Sequence, residues 1–281
     1  MPSITRGWRQ PSVIPGSGIT LGLTVTWLGL IVLLPLASLV LKASALGFEG
    51  FIDVIATPRV LASLRLSFGL SFLAAAINAV LGLLIAWVIV RYEFPGRRAV
   101  AALVDIPFAL PTAVAGIALT TIYAPQGAIG SLLEPLGIKV AFTPLGILVA
   151  LIFIGLPFVV RTVEPVLADI DAMTEEAAAC LGASRVATFR RVIFPAILPA
   201  LLTGFALAFA RAVGEYGSVI FIAGNLPMVS EIAPLLIVVR LEEFEYEQAT
   251  AIAVTMLVFS LLLLLLINLL QAWGRRRHGR G

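Results

Sequence analysis

The sequence predicts an all-α, polytopic membrane protein with six transmembrane helices. Three observations predict it. Hydrophobic residues make up 60% of the chain and charged ones 12%, six apolar runs are each long enough to cross a bilayer, and the basic residues between those runs gather on one side. A soluble domain covers its core with charged surface, and a mean hydropathy of +1.07 leaves little of it.

A hydrocarbon core about 30 Å thick takes roughly 20 residues at a rise of 1.5 Å each. The first run is 19–41 and the second 66–90, with the amide of Asn78 inside it. The third, 99–122, has Asp105 near its start, and Pro107 and Pro111 free backbone groups that bend a helix or line a cavity. Thr112 adds a hydroxyl there. Interhelical packing accounts for Asn78, the prolines and Thr112 equally well. The fourth run is 142–160, the fifth 197–223 with Arg211 and Glu215 inside it, and the sixth 249–273. Ala43-Ser44-Ala45 imitates a signal-peptidase site, but the run ahead of it is longer than a signal core of about 7 to 15 residues, so the first helix is expected to be retained.

Orientation follows from arginine and lysine in short flanks. One side collects Arg6 and Arg9, then Arg91, Arg97 and Arg98, then Arg161, Arg185, Arg190 and Arg191, then Arg275, Arg276, Arg277 and Arg280. The other holds Lys42, Arg59, Lys139 and Arg240, with Arg65 near a helix end and the acidic run Glu242, Glu243, Glu245 and Glu247. The first side is therefore cytoplasmic, and an even number of spans puts both termini there. The chain divides into a cytoplasmic segment 1–18, a transmembrane domain 19–273 and a basic cytoplasmic tail 274–281.

Composition also excludes. One cysteine, Cys180, and one histidine, His278, leave no internal disulfide and no Cys/His metal set. Cys180 reads as a small packing residue and His278 as part of the solvated tail. The net charge of +3 is sorted by membrane side and makes no basic face for nucleic acid. The acidic 242–247 run reads either as a solvated loop or as a surface complementary to a partner.

Arg211 and Glu215 are four apart, so on a helix they share a face and pair. Charges within the bilayer are costly and usually face a bundle interior or a watery path, which makes both candidates for a substrate pathway. A self-neutralising pair that locks helix packing is the other reading.

The longest cytoplasmic connection, 161–196, is too structured for a plain loop. Thr174 is placed to cap a helix with Glu175 and Glu176 in its first turn, Gly182 to end it, and Ser184 to cap a second helix running towards Pro195. Small residues on one face let another protein approach, whereas Arg185, Arg190 and Arg191 equally suit lipid headgroups. Glu176-Ala177-Ala178, Gly182 and Pro195 resemble, in kind and spacing, the EAA motif of binding-protein-dependent ABC importer permeases. The family carries isoleucine and leucine ahead of the final proline, where this chain has Val192 and Phe194.

The resemblance implies the type I ABC importer permease fold. It makes Glu176, Ala177, Ala178, Gly182 and Pro195 the element that couples to a cytoplasmic ATPase. The chain has no G-x-x-x-x-G-K-[ST] phosphate loop. The expected protein is thus a non-catalytic subunit that binds no cofactor, with ATP and magnesium on the partner.

Arg91–Arg98 (R-Y-E-F-P-G-R-R), Asp105–Gly116 (D-I-P-F-A-L-P-T-A-V-A-G) and Arg211–Gly217 (R-A-V-G-E-Y-G) resemble sulfate and molybdate permeases. V-I-F-I-A-G-N from Val219 and V-R-L-E-E-F-E-Y from Val239 look closer to the T-type than to the W-type subunit of sulfate/thiosulfate permeases. The implied partners are a W-type permease subunit, two copies of the ATPase, a periplasmic sulfate/thiosulfate-binding protein and the lipid of the bacterial inner membrane. A molybdate/tungstate permease is the neighbouring alternative. An ion-coupled anion carrier is the rival from another class, and it would show inverted repeats or proton-relay carboxylates in the membrane.

Overall fold

The computed structural model describes residues 17–278, and no strand occurs among them. The expectations for Arg6, Arg9 and Arg280, and for the side chains of Arg275, Arg276, Arg277 and His278, lie outside the described residues. Five helices are long and apolar enough to span: α1 (Gly18–Ser44), α3 (Pro58–Arg91), α8 (Pro144–Ala168), α10 (Arg185–Val213) and α13 (Tyr246–His278). A shorter apolar helix, α6 (Thr112–Tyr123), completes the set. Between them lie α2 (Gly47–Ala56), α4 (Arg97–Val104), α5 (Ile106–Ala109), α7 (Gly130–Leu133), α9 (Ala172–Cys180), α11 (Val219–Ile222) and α12 (Ala233–Glu242).

The third expected span is broken rather than continuous. Asp105 ends α4, and after α5 Leu110 is extended at φ −84 and ψ 134 because Pro111 disfavours the helical conformation in the residue before it. α6 alone is 12 residues, about 18 Å at 1.5 Å per residue, so the short segments ahead of it supply the remaining depth.

Two other helices pass a proline by way of a π turn. A π turn over Gly29–Leu33 precedes Pro35, and another over Phe189–Ile193 precedes Pro195. In each, the cap amide reaches five residues back, Leu34 to Gly29 and Phe194 to Phe189. The wider turn draws aside the carbonyl that the proline ring would strike and that has no proline N–H to receive. Pro195 therefore sits within α10, which runs from the 161–196 loop into the apolar bundle without interruption.

α3, α8 and α10 form the centre of the bundle, and they approach closely because small residues meet at their contacts. A Cβ added to Gly82 of α3 would lie 2.7 Å from Val159 Cγ1, and one added to Gly204 of α10 would lie 2.9 Å from Val159 Cα. Val159 is thus held between two glycines. Around it Val60, Val160, Val163, Leu236 and Ile252 are fully buried. A smaller cluster of Leu167, Ile193 and Ile197, with Trp87 and Phe189 against it, closes the end beneath the 161–196 loop. α1 lies outside this core with its large side chains exposed, and touches α13 where Lys42 Nζ stands 4.7 Å from the Tyr246 ring centroid.

At the opposite end of the bundle Arg59, one residue into α3, donates Nε to Glu231 Oε2 at 2.8 Å and a second nitrogen to Oε1 at 2.6 Å. Glu231 is 2% exposed, and two residues on Ala233 N–H donates to the buried Ser67 hydroxyl at 2.7 Å. These bonds fix the start of α12 to α3.

Candidate functional site

The 161–196 loop folds as the helix, turn and helix that its residues specify, with one change at its start. Asp171, not Thr174, caps α9, its carboxylate accepting from Met173 N–H at 2.9 Å. Aspartate at this position satisfies one of the amides that a helix start leaves unpaired. Thr174 lies inside the first turn, beside Glu175.

At the far end Gly182 takes φ +80, its N–H donates to Ala179 O at 2.9 Å and Ala183 N–H donates to Ala178 O at 3.0 Å. This closes the exposed carbonyls of α9, and the left-handed backbone favours glycine. Ser184 caps the next helix, accepting from Ala187 N–H at 3.3 Å.

The loop presents Glu176, Ala177 and Gly182 to solvent, with Ala178 partly covered. Apolar side chains stand out beside them: Met173 is 71%, Leu181 89% and Val186 66% exposed. Cys180 is exposed too, so it does not pack inside the chain as expected. Glu175 turns the other way and pairs with Arg91 at the end of α3 at 2.5 Å.

The intramembrane candidates divide into two places. Arg211 and Glu215 pair at 2.5 Å as their spacing implies, but they do not share a helical face, because α10 ends at Val213 and Glu215 lies beyond Gly214. The expected fifth run to Ala223 thus ends early, and a short helix, α11, follows the turn. Glu215 is 2% exposed, and its Oε1 accepts both the N–H of Ser218 at 2.8 Å and the Ser218 hydroxyl at 2.9 Å. Those two bonds and the guanidinium keep a buried carboxylate satisfied. Ser218 was not foreseen; its place three residues after Glu215 was the available signal.

Thr112 belongs to the same neighbourhood. A Cβ added to Gly217 would lie 2.2 Å from Thr112 Oγ1, and one added to Gly116 would lie 2.4 Å from Ser218 O, so the start of α6 rests on the Glu215–Ser218 turn. Asn78 is elsewhere. It is fully buried in α3 against Gly155 of α8, and neither its amide nitrogen nor its oxygen meets a partner among the described residues.

A further charge cluster ties the broken span to α8. Arg161 donates Nε to Asp105 Oδ1 at 2.8 Å, bonds Asp105 Oδ2 through a second nitrogen, donates to Ala101 O at 2.9 Å and holds Glu164 Oε2 at 2.6 Å. One guanidinium thus ends α4 and binds the carboxylate at the break. α8 itself continues past the end of the apolar run at Val160 to Ala168.

Comparison with known proteins places this architecture. The family described as "Binding-protein-dependent transport system inner membrane component" matches residues 78–279. The chain belongs to that family.

The permease is 50% identical over 90% of its length to the "Sulfate transport system permease protein CysT" of Synechocystis sp., covering 88% of that protein. It is 48% identical to the protein of the same name from Salmonella typhimurium, covering 95% of this chain and 97% of the other. A bacterial ABC transporter involved in import of the acidic polysaccharide alginate superposes with a TM-score of 0.75 at 18% identity, over 90% of this chain and 94% of that one, a likeness of fold. The type I importer permease fold that the motif implied is therefore the fold of this permease.

Proposed function

We propose that this permease is one of two pore-forming subunits of an ATP-driven importer of sulfate and thiosulfate. The observation that carries the reading is identity near one half, over nine-tenths of the chain, to sulfate permeases, joined to an exposed loop built to dock. A W-type permease completes the pore, two copies of a cytoplasmic ATPase hold ATP and magnesium, and a periplasmic binding protein delivers the anion. Both termini face the cytoplasm of a bacterial inner membrane, as the arginine distribution supports.

In this reading Glu176, Ala177, Ala178 and Gly182 enter a groove of the ATPase, with Met173, Leu181 and Val186 burying apolar surface there. Pro195 and the π turn ahead of it pass the displacement into α10. ATP binding draws the ATPases together and opens the path outward, and hydrolysis returns it inward. In the last turn of α10 the Arg211 guanidinium gives Glu215 one nitrogen and keeps further N–H donors for an oxyanion. Thr112 lies beside this turn and contributes its hydroxyl. Asn78 sits deeper between α3 and α8, where its unpaired amide serves the path when the two helices part.

The test is uptake of labelled sulfate and of labelled molybdate by a bacterial strain lacking its own sulfate uptake and expressing the permease with its partners. Saturable sulfate uptake competed by thiosulfate is expected. Uptake of molybdate alone would assign the chain to the neighbouring oxyanion.

A further inference from the structure

We propose that Arg91, with Glu175 and Trp87, is the side-chain attachment through which α9 drives α3, a positioning role that rests on the coupling reading of the loop. α9 is joined covalently to α8 by 169–171 and to α10 by the short turn 181–184, and most of its residues are exposed. α3, the third central helix, has no such chain connection to α9. The Arg91–Glu175 pair at 2.5 Å supplies a direct contact between α9 and α3, so that a displacement of α9 reaches α3 as well as α8 and α10.

The pair is built into the bundle. Arg91 stands 5.6 Å from the centroid of the Trp87 ring, one turn back on α3, which holds the guanidinium by cation–π attraction. Trp87 meets Phe189 edge to face at 5.7 Å, and Phe189 opens the π turn of α10. Trp87 and Phe189 both pack on the Leu167, Ile193 and Ile197 cluster at the base of α8 and α10. A contiguous path therefore runs from Glu175 through Arg91 and Trp87 to all three central helices, the kind of packed network that carries coupling.

Adjacent residues on a helix point about 100° apart. Glu175 can thus face Arg91 while Glu176 stays exposed for the ATPase, so the two neighbouring carboxylates divide the inward and outward contacts. α3 runs 34 residues, about 51 Å at 1.5 Å each and well past a core of about 30 Å, which is what brings Arg91 out to the loop.

The test uses the whole importer in proteoliposomes, with sulfate-loaded binding protein, and measures sulfate moved and ATP hydrolysed together. R91E and E175R are expected to retain the ATPase and hydrolyse ATP while sulfate moved per ATP falls about tenfold, E175Q falls less, and R91E/E175R recovers to within about threefold. Gly182→Val serves as the reference for the loop itself. If the charge reversals keep the unmodified ratio while Gly182→Val loses it, the tether is idle and the coupling reading stands. If Gly182→Val keeps the ratio too, the coupling reading falls and the tether with it. Where a reversal does not accumulate in the membrane, E175Q decides: a reduced ratio supports the tether, and an unchanged ratio overturns it.

Discussion

Arg211 and Glu215 meet at 2.5 Å across Gly214, the residue at which α10 stops, and Ser218 occupies the other oxygen of the same carboxylate. The ion pair therefore closes a helix end rather than bridging one helical face. Removing only the arginine leaves a carboxylate, 2% exposed, with Ser218 as its remaining donor. Removing both partners leaves no buried charge.

Arg211→Ala should accordingly cost about 3 kcal/mol of stability, and the double variant Arg211→Ala/Glu215→Ala less than the single one. Thermal unfolding in detergent, followed for both variants, checks the order. Equal or greater damage in the double variant would count against a buried charge pair.

Arg59 and Glu231 are asymmetric in the same way. Glu231 is buried, whereas the Arg59 side chain is 31% exposed. Arg59→Ala should loosen 226–236 more than Glu231→Gln does, and Arg59→Lys should not restore the two-pronged contact. Hydrogen exchange at the amides of Leu226, Ser230 and Ala233 reports it, with exchange expected to rise about tenfold or more in Arg59→Ala.

Glycines with different surroundings should respond differently. A Cβ at Gly116 would meet backbone of Ser218 at 2.4 Å, whereas one at Gly69 would meet nothing within 4 Å. Gly116→Ala should therefore destabilise by about 1–3 kcal/mol, and Gly69→Ala in the helical run of α3 should be neutral or stabilising by about 0.5–1 kcal/mol. Paired melting curves distinguish them.

Gly182 is constrained by backbone, not by space: φ is +80 and nothing lies within 4 Å of its Cβ position. Gly182→Asn should retain most uptake, because asparagine tolerates the left-handed region, whereas Gly182→Val should lower it about tenfold or more with the protein still in the membrane. Equal activity of the two would show that the turn does not need this conformation.

The parts of this protein that were legible in sequence are those fixed by neighbours along the chain. Gly182 and Ser184 act on residues within five positions, and both turn and cap appear as read. Asp171 displaced Thr174 as the cap because either residue suits the start of such a helix, and the backbone leaves the helical region at Asp171, at ψ 131. The five long spans follow from apolar length alone. At Asp105–Pro111 the prolines signalled a bend, but hydropathy registers composition and ran on through 99–122 as one span, so the full break was not read. Arg91–Glu175, Arg161–Asp105 and Arg59–Glu231 join residues 84, 56 and 172 positions apart, and no local pattern pairs charges at such distances.

The most direct test of the central claim is whether sulfate moves only when ATP is hydrolysed by the partner. Sulfate entry into proteoliposomes holding the complete importer should be accumulative with ATP, and should vanish both without ATP and with a catalytically dead ATPase. Sulfate flux that persists with the dead ATPase and follows an ion gradient would contradict it and make the chain an ion-coupled carrier.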